Sequence, residues 1–273
     1  MTGTITNAPA IPPALQIQGD TYTSPPASPG LLARLFPSLV FYPGLFGIIW
    51  HAAQISQKGT YTGEDWSYGS LSVLHLLEKV GVHIHADGIN NVKALQGPCV
   101  FVANHMSSLE TFVLPRFIQP WRDASFVVKK SLTEYPVFKH VVLARDPIAL
   151  GRTNPREDLA RVLEGGEERL KHGRSVIVFP QSTRALELDP AKFNSIGVKL
   201  ARRAGVPVVP VALRTDAWGI GKRIKDFGPV TPALPVHFRF GAPITVEGNG
   251  KDAHAQVCSF IQKALAEWGI GKA

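Results

Sequence analysis

Apolar residues recur along this chain with two different periods. Short runs rich in β-branched residues mark strands, and longer stretches with apolar positions every three to four residues mark helices. The runs predict strands over 82–86, 99–104, 125–128, 148–150, 175–179, 206–213 and 236–240. Helical spacing falls on 65–80, 108–118, 156–172, 195–204 and 253–268, and on part of 132–143, where Pro136 interrupts it. Strand and helix alternate almost strictly after residue 80. That alternation predicts an α/β fold, a single mixed, mostly parallel sheet flanked by helices. There is no internal repeat and no composition break that would mark a second boundary within 81–273.

The first eighty residues follow another pattern. Residues 1–30 are rich in Pro, Thr, Ser and Ala and lack a basic start or an apolar core, so they predict a flexible tail rather than a secretory signal. From Leu35 to Trp50 no residue is charged, a run shorter than the ~20 residues that span a bilayer. Pro37 and Pro43-Gly44 also interrupt it. The expectation is a kinked or re-entrant segment in one leaflet, with Arg34 and His51 at headgroup level and Tyr42 and Trp50 in the interface. The competing expectation is an apolar helix packed on the protein core. Trp66, Leu71, Leu74, Leu77 and Val80 give the next helix an apolar stripe, Asp65 and nearby hydroxyls offer caps, and Gly81 stops it. The division expected is a tail (1–30), membrane-associating helices (31–80) and a catalytic domain (81–273). His83 and His85 share one face of an expected edge strand, two potential metal ligands without a third nearby, so no metal site is expected.

The most informative stretch is Val100-Phe101-Val102-Ala103-Asn104-His105-Met106-Ser107-Ser108-Leu109-Glu110. It reads as a buried strand, a tight turn and a helix start, so a histidine and a carboxylate sit at a strand's C-terminal end, where open α/β sheets place their sites. On one straight helix, residues five apart would be rotated by about 140° and could not face each other. A capping box resolves this: with Ser107 as cap and Glu110 at the third helical position, the glutamate bends back over the turn. A carboxylate on one ring nitrogen of His105 would fix its tautomer and leave the other nitrogen as a base. The alternative is that Ser107-x-x-Glu110 is only a cap and His105 only a turn residue. Ser107 or Ser108 as a nucleophile activated by His105 is a further alternative.

Composition adds the nature of the partner. Only 18% of residues are charged, below the ~25% of ordinary soluble domains, and the net charge is +8. This favours extra apolar surface and an anionic partner, whether a phosphate-bearing substrate, an anionic membrane or nucleic acid. No nucleic-acid-binding motif accompanies the charge, so nucleic acid is not expected. Arg202-Arg203 reads as a pair offsetting a helix dipole. Gly221-Lys222-Arg223-Ile224-Lys225 reads equally as an ordinary exposed loop or as one that docks on anionic headgroups. Lys129, Arg152 and Arg184 each follow a predicted strand, which would collect three cations on one sheet edge as a phosphate pocket. Cys99 and Cys258 fit neither a disulfide framework nor a zinc site and are expected as buried free thiols, in keeping with a reducing compartment.

Asn104-His105-x4-Glu110 after an apolar strand resembles the first motif of the glycerolipid acyltransferase family, whose best-known members are 1-acylglycerol-3-phosphate acyltransferases. Val127-Val128-Lys129-Lys130-Ser131-Leu132 with Pro136, Gly151-Arg152-Thr153-Asn154, Phe179-Pro180-Gln181-Ser182-Thr183-Arg184, and Val206-Pro207-Val208-Val209-Pro210-Val211 resemble that family's further motifs, in the same order. The resemblance covers about residues 70–245. It implies that His105 takes the proton of an acceptor hydroxyl, which attacks an acyl thioester, that Glu110 supports His105, and that no acyl-enzyme forms; no Gly-x-Ser-x-Gly elbow is present. It also implies substrate contacts from Lys129, Arg152, Gln181, Ser182, Thr183 and Arg184, with Arg184 foremost. Three departures stand out: Glu110 where Asp is commoner, Gln181 for a Glu, and Ser182 for a Gly. The implied activity is transfer from acyl-CoA or acyl-carrier protein to a lysophospholipid, foremost 1-acylglycerol-3-phosphate, without a cofactor, by a monotopic protein on the cytoplasmic face of a membrane. The alternatives are another acceptor, glycerol-3-phosphate or a lysolipid without phosphate, and a non-catalytic lipid-binding relative.

Overall fold

A computed structural model describes residues 15–271. The chain runs β1 (Tyr22–Thr23), α1 (Leu31–Leu35), α2 (Pro37–Gln57), α3 (Gly63–Lys79), β2 (Ile84–Asp87), α4 (Ile89–Lys93), β3 (Val100–Ala103), α5 (Leu109–Ile118), β4 (Ala124–Lys129), α6 (Phe138–Ala144), β5 (Ile148–Leu150), α7 (Pro155–Lys171), β6 (Ser175–Val178), α8 (Ile196–Ala204), β7 (Val208–Arg214), β8 (Val236–Phe240) and α9 (Lys251–Glu267). One mixed sheet has the order β1-β2-β8-β7-β3-β6-β4-β5. Strands β7, β3, β6, β4 and β5 are parallel neighbours, while β8 is antiparallel to β7 and β1 to β2. The mixed, mostly parallel sheet flanked by helices is therefore as expected.

Alternation along β3 explains the two helical layers. Phe101 and Ala103 join Leu109, Val113 and Phe117 of α5 and Leu74 and Leu77 of α3 in one core. Val100 and Val102 join Val162 of α7, Val198 and Leu200 of α8 and Val257 and Ile261 of α9 in the other. Successive side chains of a strand point to opposite faces, so a strand buried on both must be apolar throughout. Helix α8 comes so close that a Cβ at Gly197 would lie 2.6 Å from Val102 Cγ2.

The N-terminal third corrects two expectations. Residues 1–14 lie outside the described residues, but 15–30 are not a free tail. Tyr22 and Thr23 pair with Ala86 and His85, which puts β1 outside β2, so β2 is not the edge strand. The hydroxyls of Tyr22 and Ser24 both bond the buried carboxylate of Glu78 on α3, and Ser24 also bonds Ile84 through its backbone N–H. A buried carboxylate needs such donors, and that need holds the segment down. Second, the chain breaks at Phe36-Pro37, where Pro37 opens α2, but not at Pro43. Helix α2 runs through Pro43 for 21 residues, because it continues beyond Trp50 to Gln57, and by length and composition it could cross a membrane.

Yet α2 also packs on the body. Phe41 and Leu45 are fully buried, and Phe41 meets Trp218 edge to face at 4.9 Å. The opposite side exposes Leu39, Phe46 and Trp50, continuing Leu31, Leu32, Leu35 and Phe36 around α1. Single exposed apolar residues are ordinary, but a contiguous set of this size marks an interaction surface. The expectation of an apolar helix packed on the core thus describes one side of α2, while the other side is apolar and exposed.

At the far side of the sheet His237 on β8 faces His85 on β2, with ring centroids 6.0 Å apart, and stacks on Trp268 at 4.9 Å. Burial foremost, then His85, Arg214, Arg239 and His83, push its pKa down to about 4. The folded protein thus keeps His237 neutral where the unfolded chain, titrating near 6.5, binds a proton. Stability should fall as the pH drops from about 6.5 to about 4. Urea midpoints measured across that range should flatten in His237→Gln relative to wild type.

Candidate active site

The five parallel strands bring their C-terminal ends to one edge, and the predicted residues gather there. His105 follows β3, Gln181 to Arg184 follow β6, Lys129 ends β4 and Arg152 follows β5. Asn104 fixes the first of these in place. Its Nδ2 donates to the Leu213 carbonyl and its Oδ1 accepts from the Leu213 N–H, both at 2.8 Å. The side chain thus prolongs the β3–β7 ladder beyond the strand and holds the next residue at its start.

Glu110 is the hub. It is fully buried in the first turn of α5 and reaches back over the turn. Oε1 accepts from His105 Nδ1 at 2.9 Å, Met106 N at 2.7 Å and Ser107 N at 2.9 Å, and Oε2 accepts from Thr215 Oγ1 at 2.5 Å. The standard box expected from the sequence does not form, because α5 starts at Leu109, which puts Ser108 at the cap without a side-chain cap bond and Glu110 at the second helical position; the reach-back of the glutamate does occur. Ser107 Oγ accepts from the Leu109 N–H at 3.0 Å, one position earlier than in the standard box, while Glu110 returns the bond to the Ser107 N–H. Burial would push the Glu110 carboxyl up. The hydrogen bond and charge of His105, the Thr215 hydroxyl and the Ser107 N–H outweigh it and hold the carboxyl below its ordinary range. An ionised carboxylate can only accept, so Nδ1 of His105 is the donor to it and Nε2 is the ring nitrogen turned away from Glu110.

His105 itself is positioned from three sides. Its ring stacks on Phe179 at 4.6 Å and 24°, and Phe179 stacks in turn on Phe126 at 5.8 Å. Its backbone N–H donates to Gln181 Oε1 at 2.6 Å, and its carbonyl accepts from Ala185 N at 3.0 Å. Gln181 therefore braces the turn, and its neutral amide accepts this bond as a carboxylate would, without adding a negative charge. The His105 side chain remains 13% exposed against 0% for Glu110, so the free nitrogen is on the open side of the pair.

The cations sit on the same edge but in different states. Lys129 is exposed, with no ion pair among the described residues. Arg152 is held at φ +58°, an unusual conformation for a side chain with a Cβ, by Asp158, whose carboxylate accepts from the N–H groups of Gly151 and Arg152. Its guanidinium bonds the Ser182 carbonyl at 2.5 Å, so Arg152 braces the loop after β6. Ser182 and Thr183 are exposed. Arg184 pairs with Asp226 at 2.5 Å.

Thr215, Asn104, Phe179 and Asp226 escaped the sequence reading. Thr215 and Asp226 lie more than a hundred residues from His105, and no local pattern joins them; Asn104 and Phe179 stood inside quoted motifs without an assigned task. The two serines are engaged elsewhere: Ser107 Oγ donates to the Thr215 carbonyl at 2.8 Å and Ser108 Oγ to the Asp226 carbonyl at 3.2 Å. Cys99 and Cys258 are buried, and burial foremost pushes the Cys99 thiol up to about 12, which removes it as a thiolate nucleophile.

Comparison with known proteins points the same way. Residues 83–214 match the family model described as Acyltransferase. A 1-acyl-sn-glycerol-3-phosphate acyltransferase of Pseudomonas aeruginosa is 36% identical over 132 residues, 48% of this chain and 49% of that protein. One of Saccharomyces cerevisiae is 29% identical over 190 residues, 69% of this chain and 60% of that protein. The chain spans about a third to a half of the length of the curated relatives it matches first. The crystal structure of the 1-acyl-sn-glycerophosphate (LPA) acyltransferase PlsC of Thermotoga maritima superposes with a TM-score of 0.62 at 20% identity, over 86% of this chain and 96% of that one, a likeness of fold.

Asn104→Ala should leave two buried backbone groups of Leu213 unpaired. A loss of about 2–6 kcal/mol in unfolding free energy, measured with urea, is expected from ~1–3 kcal/mol per orphaned group.

Proposed function

We propose that this chain, whose residues 83–214 match the family model described as Acyltransferase, moves a fatty acyl group from a thioester to the hydroxyl of a lysophospholipid, foremost 1-acylglycerol-3-phosphate. The observation that carries the reading is the buried Glu110 bound to Nδ1 of His105 with Nε2 left free. In this reading Nε2 removes the acceptor's hydroxyl proton as the oxygen attacks the thioester carbonyl. The thiolate of acyl-CoA or acyl-carrier protein leaves, and the imidazolium returns its proton to it. Glu110 stays ionised, orients the ring and balances the imidazolium charge. The acceptor oxygen is the nucleophile, so no covalent acyl-enzyme and no cofactor are needed.

Arg184 and Lys129 are assigned to the acceptor's phosphate, Arg184 as a fork and Lys129 as a point charge. Arg152, Gln181 and Ser182 act by shaping the loop between them, with Thr183 exposed beside the substrate. The names of the relatives support a phosphate-bearing acceptor over a lysolipid without phosphate. The protein is assigned to the cytoplasmic face of a membrane; the exposed apolar side of α1 and α2 supports the attachment to a lipid surface, from the side, with the helix lying against the body rather than standing free of it.

His105→Ala should lower acyl transfer ~10²–10⁴-fold, with unchanged circular dichroism, when purified protein is given acyl-CoA or acyl-carrier protein and a panel of lysolipids. Retained turnover would remove the base. Removing residues 1–55 would strip Phe41 and Leu45 from the core, so the membrane assignment calls for a gentler change. Replacing Leu31, Leu32 and Leu39 together by Gln should weaken liposome sedimentation while the melting temperature holds.

A further inference from the structure

Arg184 is not waiting with an open fork. Its Nη2 lies 2.5 Å from Asp226 Oδ1 and its Nη1 donates to the Lys225 carbonyl at 3.3 Å. Both terminal nitrogens, the pair that would grip a phosphate, are occupied by one loop between β7 and β8. The pair is largely shielded from water: 19% of the Arg184 side chain and 25% of that of Asp226 remain exposed. The backbone around Asp226 is anchored independently of the pair. Ser108 Oγ donates to its carbonyl, and the next residue, Phe227, packs against Tyr42 at 5.8 Å and Phe46 at 5.5 Å on α2. The side chain can therefore turn while the loop stays. Tyr135 offers it a second partner, its hydroxyl already 3.5 Å from Asp226 Oδ2.

We propose that Asp226 is a specificity-determining residue: it fills the Arg184 fork in the empty site and admits only an acceptor whose phosphate displaces it. This rests on the reading of Arg184 as the acceptor's phosphate ligand. A phosphate monoester carries ~1.5–2 negative charges and three acceptor oxygens, against one charge on the carboxylate. It therefore wins the guanidinium, and the freed carboxylate turns towards Tyr135. A lysolipid without phosphate cannot make this exchange. The competition costs the true acceptor some affinity and in return rejects neutral headgroups, which is specificity by opposing the wrong ligand.

The test uses the full chain in detergent and a soluble acceptor, 1-hexanoylglycerol-3-phosphate, with 1-hexanoylglycerol as its neutral counterpart. Calorimetry without any acyl donor measures binding, and steady-state acyl transfer measures KM and kcat. Asp226→Asn, which keeps the shape and removes the charge, should bind the phosphate acceptor about 3–10-fold more tightly, lower KM by the same factor and leave kcat in place. Affinity for the neutral acceptor should rise by a larger factor, so that the preference for the phosphate acceptor falls; a preference that is unchanged or greater would overturn the specificity role. In an Arg184→Ala background the same substitution should have no effect. Weaker or equal binding by Asp226→Asn would mean that Asp226 positions Arg184 rather than competing for it, and would overturn the proposal. So would a gain that persists without Arg184. Asp226→Ser gives a second reading should the amide make new bonds. If wild type binds the phosphate acceptor but transfers no acyl group to it, the activity reading fails while the binding comparison still decides the role of Asp226.

Discussion

A buried, ionised carboxylate is the constraint on which the rest of this structure turns. Glu110 has no contact with water, and an isolated charge in such a place would be too costly to keep. It is kept because donors arrive from two directions: His105, Met106 and Ser107 in the turn after β3, and Thr215 just after β7. Those elements can meet only when β3 and β7 pair in their observed register, Val102 with Pro210 and Ala103 with Val211. The chemistry of the histidine and the order of the central strands are thus tied to one another. A slip of one residue in that ladder would turn β3 over and strand the carboxylate.

Around this hub the site is built from braces more than from free ligands. Asn104 ties β3 to β7, Gln181 ties the loop after β6 to the histidine turn, and Arg152 ties that loop to the end of β5. The stacked row of His105, Phe179 and Phe126 closes the apolar side. The proposed reaction, with the acceptor oxygen as nucleophile, would need a base whose position and tautomer are set in advance. The density of these bonds around one partly exposed ring is what supplies that. The loop carrying Asp226 reaches from this site to Tyr42 and Phe46, so Arg184 and the apolar helix α2 are joined through a single loop.

Much of this was legible along the chain, for physical reasons. Strand and helix periods are local, so the alternation from β2 to α9 and the two-faced sheet followed from the pattern. The relation of His105 to Glu110 was legible too, because the two are only five residues apart and a carboxylate in the first helical turn can reach back to the groups of the turn before it, although the standard capping box expected did not form. Segment 15–30 was misjudged because composition says what a stretch buries by itself, not that Glu78 on a distant helix would require its hydroxyls. Pro43 was misjudged for a similar reason: it weakens a helix locally, but Phe41 and Leu45 are held in the core on either side of it.

The sequence by itself determined the parallel sheet, the histidine–glutamate pair and the collection of cations at one edge, since each rests on periodicity or on spacing within a few residues. Only the tertiary structure decided which of those cations is engaged and by what. Arg152 and Arg184 look alike in their motifs, yet one is bound to a carbonyl across the sheet edge and the other to a carboxylate forty-two positions away. It also decided that one side of α2 belongs to the core and the other to the surface. Long-range pairings of this kind depend on which strands lie next to each other, and no local pattern carries that information.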